Sequence, residues 1–212
     1  MADEIDPHAH SLAKDSPYSD TPVEPDDEVA FLPGVHFEMR ADLYQAEAQA
    51  LSELRTELYD AIAAEELSAV DLTSTRALEK LHELANGTIW TWAGRIRTRA
   101  LNIGTAPEDI REQLYGTMGD LAWMAESADI APEAIAMTAH HRLVKIHPFV
   151  DGNGRITRLY ADVLLLSLTG DRIFEWSTRG DYLGALRRAD VTMDVTELLE
   201  TIGVLVIEDD PA

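Results

Sequence analysis

"APEAIAMTAHHRLVKIHPFVDGNGRITRLYADVLLLSL", residues 131 to 168, is the stretch on which the fold turns. Its first part places apolar residues at helical spacing behind Pro132 and Glu133, a pairing suited to a first helical turn. Pro148 then disfavours α geometry at His147, so the helix stops there and the histidine sits at a loop mouth. Asp151 and the Gly152-Asn153-Gly154 run suit a tight turn, in which glycine permits positive φ and leaves backbone N–H groups open to a ligand. GRITRLYADVLLLSL resumes the helical pattern with its positive dipole end facing the same turn. The stretch therefore reads as two helices joined by a short polar turn.

Further helices are predicted on either side. ADLYQAEAQALSELRTELYDAIAAEEL, from Ala41, is rich in Ala, Leu and Glu, and TSTRALEKLHELANG has Thr73 or Ser74 to cap its start and Gly87 to end it. APEDIREQLYGTMGDLAWMAE and VTELLETIGVLVI continue the pattern. IWTWAGRIRTRALNIGT instead carries β-branched and aromatic residues punctuated by Gly94 and Gly104, and predicts a short hairpin. The expected class is all-α, a helical bundle with one small β-hairpin. Residues 1–28 hold nine acidic residues against one lysine, with Pro7, Pro17, Pro22 and Pro25 interrupting any helix. They are expected to be disordered or extended, leaving residues 29–212 as one domain.

Composition narrows the function. Seventeen basic against 39 acidic residues give a net charge of −22, the wrong sign for non-specific nucleic-acid binding. There is no cysteine, which excludes disulfides and thiolate metal sites. VLLLSL is too short to span a bilayer and the N-terminus has no apolar signal core, so a soluble cytoplasmic protein with no membrane partner is expected.

Against that acidic background His141, Arg142, Lys145, His147, Arg155 and Arg158 gather near the turn. Arg155 and Arg158 share one helix face within the first turns, where each cation opposes the macrodipole by roughly 0.3 to 1 kcal/mol. A phosphate chain held by Gly152, Asn153, Gly154 and both arginines would reverse that penalty, with Asp151 holding Mg²⁺ between itself and the phosphates. The pattern is neither a Walker motif nor a dinucleotide fingerprint. Nearby arginines would keep His147 neutral and able to take a proton from an attacking hydroxyl. Other readings stand beside this one. DGNG is a common turn, the arginines can pair with carboxylates, and His140, His141 and His147 can be read as metal ligands. Phe149 reads as an apolar anchor of the loop.

Taken whole, H-P-F-V-D-G-N-G-R-I-T-R resembles the signature of the Fic (filamentation induced by cAMP) family, H-x-F-x-[D/E]-G-N-G-R-x-x-R, at every fixed position. IWTWAGRIR is similar to that family's W-A-G-x-x-R segment, and TPVEPDDEVAFLPGVHFEMRADLYQ resembles its subgroup called mobile mystery protein B. The resemblance implies a helical fold and transfer of AMP from ATP, with Mg²⁺, to a Ser, Thr or Tyr hydroxyl of a target protein. By position it makes His147 the base and Asp151 the metal ligand. It assigns Gly152, Asn153 and Gly154 to the α- and β-phosphates and Arg155 and Arg158 to the β/γ end. Gly154 stands where the phosphorylating Doc branch has lysine, which favours nucleotide transfer. Leu101, Asn102 and Ile103 fall in the flap that would align the target strand, and Tyr182 reads either as a core-packing residue or as a candidate for the adenine pocket. The self-inhibitory pattern [S/T]-x-x-x-E-[G/N] is absent. Restraint would then come from a separate antitoxin-like partner, or from Glu47 reaching Arg158, although the ordinary reading of Glu47 is an exposed helix residue. Transfer of another nucleotide, or a catalytically idle binding module, are the competing readings.

Overall fold

A computed structural model describes Val23 and residues 30–176 and 180–207; the expected disorder of residues 1–28 falls, Val23 apart, outside them. Eight α-helices appear among the described residues: α1 (Arg40–Ala63), α2 (Ala69–Leu72), α3 (Thr75–Asn86), α4 (Ile110–Ala125), α5 (Pro132–Ile146), α6 (Asn153–Thr169), α7 (Tyr182–Thr192) and α8 (Thr196–Ile202). Two short strands, β1 (Arg172–Phe174) and β2 (Val204–Val206), pair antiparallel with Ile173 opposite Leu205.

The predicted helical hairpin is α5–turn–α6, and it is the centre of the molecule. Ile156, Leu159, Tyr160, Ala161, Val163, Leu164 and Leu165 are all buried, so α6 is covered on nearly every face. A helix that is apolar all round must be interior. Helix α5 runs alongside it, and α1, α3, α4 and β1 close around the pair. At roughly 1.5 to 3 kcal/mol for each large side chain removed from water, this core fixes where the first turn of α6 can lie. No helix among the described residues is long and apolar enough to cross a membrane.

Helix ends follow local chemistry. The Ser74 hydroxyl accepts from the Ala77 amide at 3.0 Å and starts α3, as the sequence predicts. VTELLETIGVLVI does not remain helical: Gly203, at φ 72°, ends α8, and the β-branched tail becomes β2.

The small sheet is also not where the sequence places it. IWTWAGRIRTRALNIGT forms no hairpin, and its one bridge runs from Trp90 to Phe31. Trp90 and Ile89 bury in a second small cluster with Phe31 and Leu43. In the part of the segment that would turn back on itself, the carbonyls of Arg99 and Thr105 accept from the Arg97 guanidinium at 2.9 and 2.6 Å. A side chain thus takes acceptors that a hairpin ladder would have used.

Candidate active site

His147 caps the C-terminus of α5 in the left-handed region, at φ 55° and ψ 60°. That conformation is uncommon for a residue with a Cβ, and it turns the imidazole out of the helix line. Nδ1 lies 3.3 Å from the Val144 carbonyl, a contact that requires the proton on Nδ1 and leaves the Nε2 lone pair free. Burial lowers the His147 pKa and the Arg97 charge lowers it further, against the opposing pull of the Val144 carbonyl and Asp151. At neutral pH this is an uncharged imidazole, able to take a proton on Nε2, at a half-open mouth.

The turn that follows is held from within. The Asn153 side chain receives the Phe149 amide and donates to the Phe149 carbonyl, both at 2.9 Å. The side-chain amide of Asn153 therefore closes the turn, and a phosphate contact from this residue falls to its backbone N–H. Phe149 is fully buried and stacks on His82 at 3.7 Å, so it anchors the loop. Gly152 takes φ 76°, whereas Gly154 lies inside the helix and owes its small size to no such strain. The first α-type bond runs from the Ile156 amide to the Gly152 carbonyl at 3.0 Å. The amides of Asn153, Gly154 and Arg155 therefore precede the ladder and point out of the N-terminal end of α6. Asp151 stands beside them with its side chain 65% exposed, an accessible single carboxylate of the kind that holds Mg²⁺ together with phosphate oxygens and water.

The two arginines differ. Arg155 meets Glu47 at 2.6 Å and Asp151 at 3.4 Å. Burial would lower its pKa, but the Glu47 carboxylate and its hydrogen bond outweigh that and raise it. Glu47 is neither an exposed helix residue nor a partner of Arg158. It is 4% exposed, and its other oxygen receives Trp90 Nε1 at 2.8 Å. Arg158 faces the Tyr182 hydroxyl, and burial lowers its pKa. That hydroxyl also lies 2.8 Å from His140 Nε2, so Tyr182 belongs to a buried polar relay rather than to an open adenine pocket. One turn further along α6, buried Asp162 accepts from the Phe174 amide at 3.0 Å and Trp176 Nε1 at 2.9 Å. Burial pushes its pKa up to about 7.

The other expected cations turn away. Arg142 pairs with Asp120 at 2.5 Å, Lys145 donates to the Asp190 carbonyl at 2.7 Å, and His141 bonds Asp190 at 3.1 Å. His140, His141 and His147 consequently point at three different partners and do not converge as metal ligands.

Residues 71–165, which include the whole of this turn, match the family model described as Fic/DOC. The chain carries a Fic/DOC-family domain. Protein adenylyltransferase fic-1 of Caenorhabditis briggsae is 37% identical over 106 residues, covering 47% of this chain and 20% of that protein. The chain thus spans about a fifth of the length of these curated relatives, the fic-1 protein of Caenorhabditis elegans included. In three dimensions it resembles the BepC protein of Bartonella tribocorum with bound AMPPNP, at TM-score 0.63 and 16% identity over 90% of this chain and 95% of that one. An N-terminal Fic domain from Bartonella quintana with bound ADP is similar at TM-score 0.63 and 15% identity, over 90% and 94%. At such identities the likeness concerns the fold.

Three parts of the Fic/DOC domain's site escaped sequence reasoning. His82 accepts the Gly94 amide on Nδ1 at 2.9 Å and donates from Nε2 to the Asp151 carbonyl at 3.1 Å, tying the turn to α3. Burial pushes its pKa down to about 4, so it stays neutral. The signal was a histidine and Asn86 on the same face of α3 as Leu78, Leu81 and Ala85, where polar residues need partners. Arg97, 3% exposed, is the second, visible as the arginine of W-A-G-x-x-R. Asp162, buried behind Arg158, is the third.

Proposed function

We propose that this domain is a protein adenylyltransferase, moving AMP from ATP to a Ser, Thr or Tyr hydroxyl of a target protein. The observation that carries the reading is the free Nε2 of His147, beside the open first-turn amides of α6 and both motif arginines. Those amides bind the α- and β-phosphate oxygens, and Arg158 receives the terminal phosphates. His147 Nε2 accepts the proton as the target oxygen bonds to the α-phosphorus, and the bond from that phosphorus to the bridging oxygen breaks to release pyrophosphate. Asp151 would hold Mg²⁺, which when bound would neutralise charge on the phosphates. Gly154, lacking a side chain at the second helical position, supports nucleotide transfer over phosphorylation. Relatives named protein adenylyltransferase lend further support.

Leu101, Asn102 and Ile103 are the proposed target-docking residues; Ile103 is 56% exposed, available to an incoming chain. Glu47 is proposed to restrain activity by occupying Arg155, with a separate antitoxin-like protein, as for a cytoplasmic toxin of the mobile mystery protein B subgroup, as the alternative restraint. Incubation with each nucleoside triphosphate, Mg²⁺ and a cell lysate, read by intact mass, tests the reaction. An AMP adduct from ATP is expected, lowered about 100-fold or more in His147→Ala with ATP binding retained. A phosphoryl adduct, or a nucleotide adduct from UTP alone, overturns it.

A further inference from the structure

Three consecutive carbonyls at the mouth of the site, those of Ile146, His147 and Pro148, all accept hydrogen bonds from one loop. The Thr105 amide donates to Ile146 at 3.0 Å, and the Arg97 amide donates to Pro148 at 2.9 Å. Between them, Arg97 Nε donates to the His147 carbonyl at 2.7 Å. The other two guanidinium nitrogens bind the carbonyls of Arg99 and Thr105, at either end of the loop carrying Leu101, Asn102 and Ile103. All three of these side-chain partners are backbone carbonyls. A buried cation without a carboxylate partner is costly, so its fork geometry, rather than its charge pairing, is what the fold uses here. The loop also presses on the base. Gly104 has φ +91°, and a Cβ added there would lie 2.5 Å from His147 Cβ and 2.9 Å from the Arg97 guanidinium.

We infer that Arg97 is a positioning residue for His147, clamping the ends of the 99–105 loop to the backbone of the base so that a protein segment resting on that loop is registered against the imidazole. The left-handed backbone of His147 supports this, because it needs an external restraint and Arg97 holds its carbonyl. Lysine has the charge but only one nitrogen, and cannot join three carbonyls in a plane. The clamp rests on the adenylyltransferase reading only for the identity of the transferred group.

Full-length Arg97→Met, Arg97→Lys and Gly104→Ala test it. In each folded variant the maximal rate of AMP transfer should fall about 100-fold, the effect of a misplacement near 1 Å, with the dissociation constant for ATP unchanged. The Thr105 amide should exchange with solvent about tenfold faster in both Arg97 variants, and the His147 ring signals in NMR should shift, both without nucleotide. Gly104→Ala keeps Arg97 and reads the same coupling if the Arg97 variants do not fold. Full activity in Arg97→Lys, an unchanged rate in folded Arg97→Met, or a parallel loss of ATP affinity each overturns the inference. Should the wild type transfer no AMP, the functional reading fails, and Thr105 exchange and the His147 signals still decide: no change in Arg97→Met sinks the clamp as well.

Discussion

Arg155 and Arg158 leave the same helix three residues apart, and their surroundings solve the burial of a cation in opposite ways. Arg155 is met by carboxylates, Glu47 from α1 and Asp151 from the turn. Arg158 is met by a phenol, Tyr182, and by Asp162, whose carboxyl burial leaves only partly ionised near neutral pH. An arriving phosphate must share Arg155 with a partner already present, whereas the Arg158 charge is largely unspent. Equivalence by position in a motif is therefore not equivalence in electrostatics. The second arginine is the one expected to carry nucleotide affinity.

The largest effect that would break this contrast comes from the two alanine variants. Arg158→Ala should cost ATP binding roughly 1.5 to 3 kcal/mol, the range for hydrogen bonds to charged groups, with AMP nearly unaffected. Arg155→Ala should cost less. Calorimetric titration of both variants with ATP and AMP measures it, and a greater loss at Arg155, or equal losses for the two nucleotides at Arg158, abolishes the distinction.

Next in size is Glu47→Ala, which strands Trp90 Nε1 and leaves the Arg155 guanidinium only Asp151, at 3.4 Å. It should lower stability by about 2 kcal/mol, below the roughly 3 to 5 kcal/mol for a fully buried pair because Arg155 remains partly exposed. Freed Arg155 should then bind ATP more tightly, so the nucleotide-induced rise in Tm should exceed that of the wild type. An unchanged or smaller rise means that Arg155 does not reach the phosphates.

The smallest effect sharpens the Arg158 side. Asp162 holds its proton to about pH 7 when folded, against an ordinary value of 3.8. The folded state binds the proton more tightly, so this stabilisation is present at low pH and is lost as pH rises from about 4 through 7. Asp162→Asn should accordingly raise Tm by about 2 to 4 °C at pH 8, near 1 kcal/mol, and give no gain at pH 4. Equal changes at both pH values would show that the native carboxyl is already ionised throughout.

The sequence displayed the helices, the stop at His147 and the turn from Asp151 to Gly154, because each depends on neighbours along the chain: Pro148, helical periodicity, glycine. Long-range pairings were hidden. Glu47 sits in an Ala- and Glu-rich helix where nothing local marks it as buried, and its burial follows from Trp90 and Arg155 lying 43 and 108 residues away. The closing role of the Asn153 side chain was hidden because an amide suits phosphate and backbone equally, and the backbone four residues earlier was nearer. The predicted hairpin failed for a related reason: β-branched and aromatic residues suit a strand, but Arg97 intercepted the carbonyls. β1 and β2 pair across two intervening helices, a separation that periodicity does not encode.

The recognisable segment, residues 71–165, contains both arginines and neither of their principal neighbours. Glu47 precedes it, and Tyr182, with the Phe174 amide and the Trp176 indole that hold Asp162, follows it. A fragment trimmed to those borders would keep every letter of the signature while exposing the cations to water and cutting the tether behind Asp162. Domain boundaries drawn from motif similarity would here mark where the chemistry is spelled, not where it is insulated, and an inactive trimmed fragment would say nothing against the proposed role of His147.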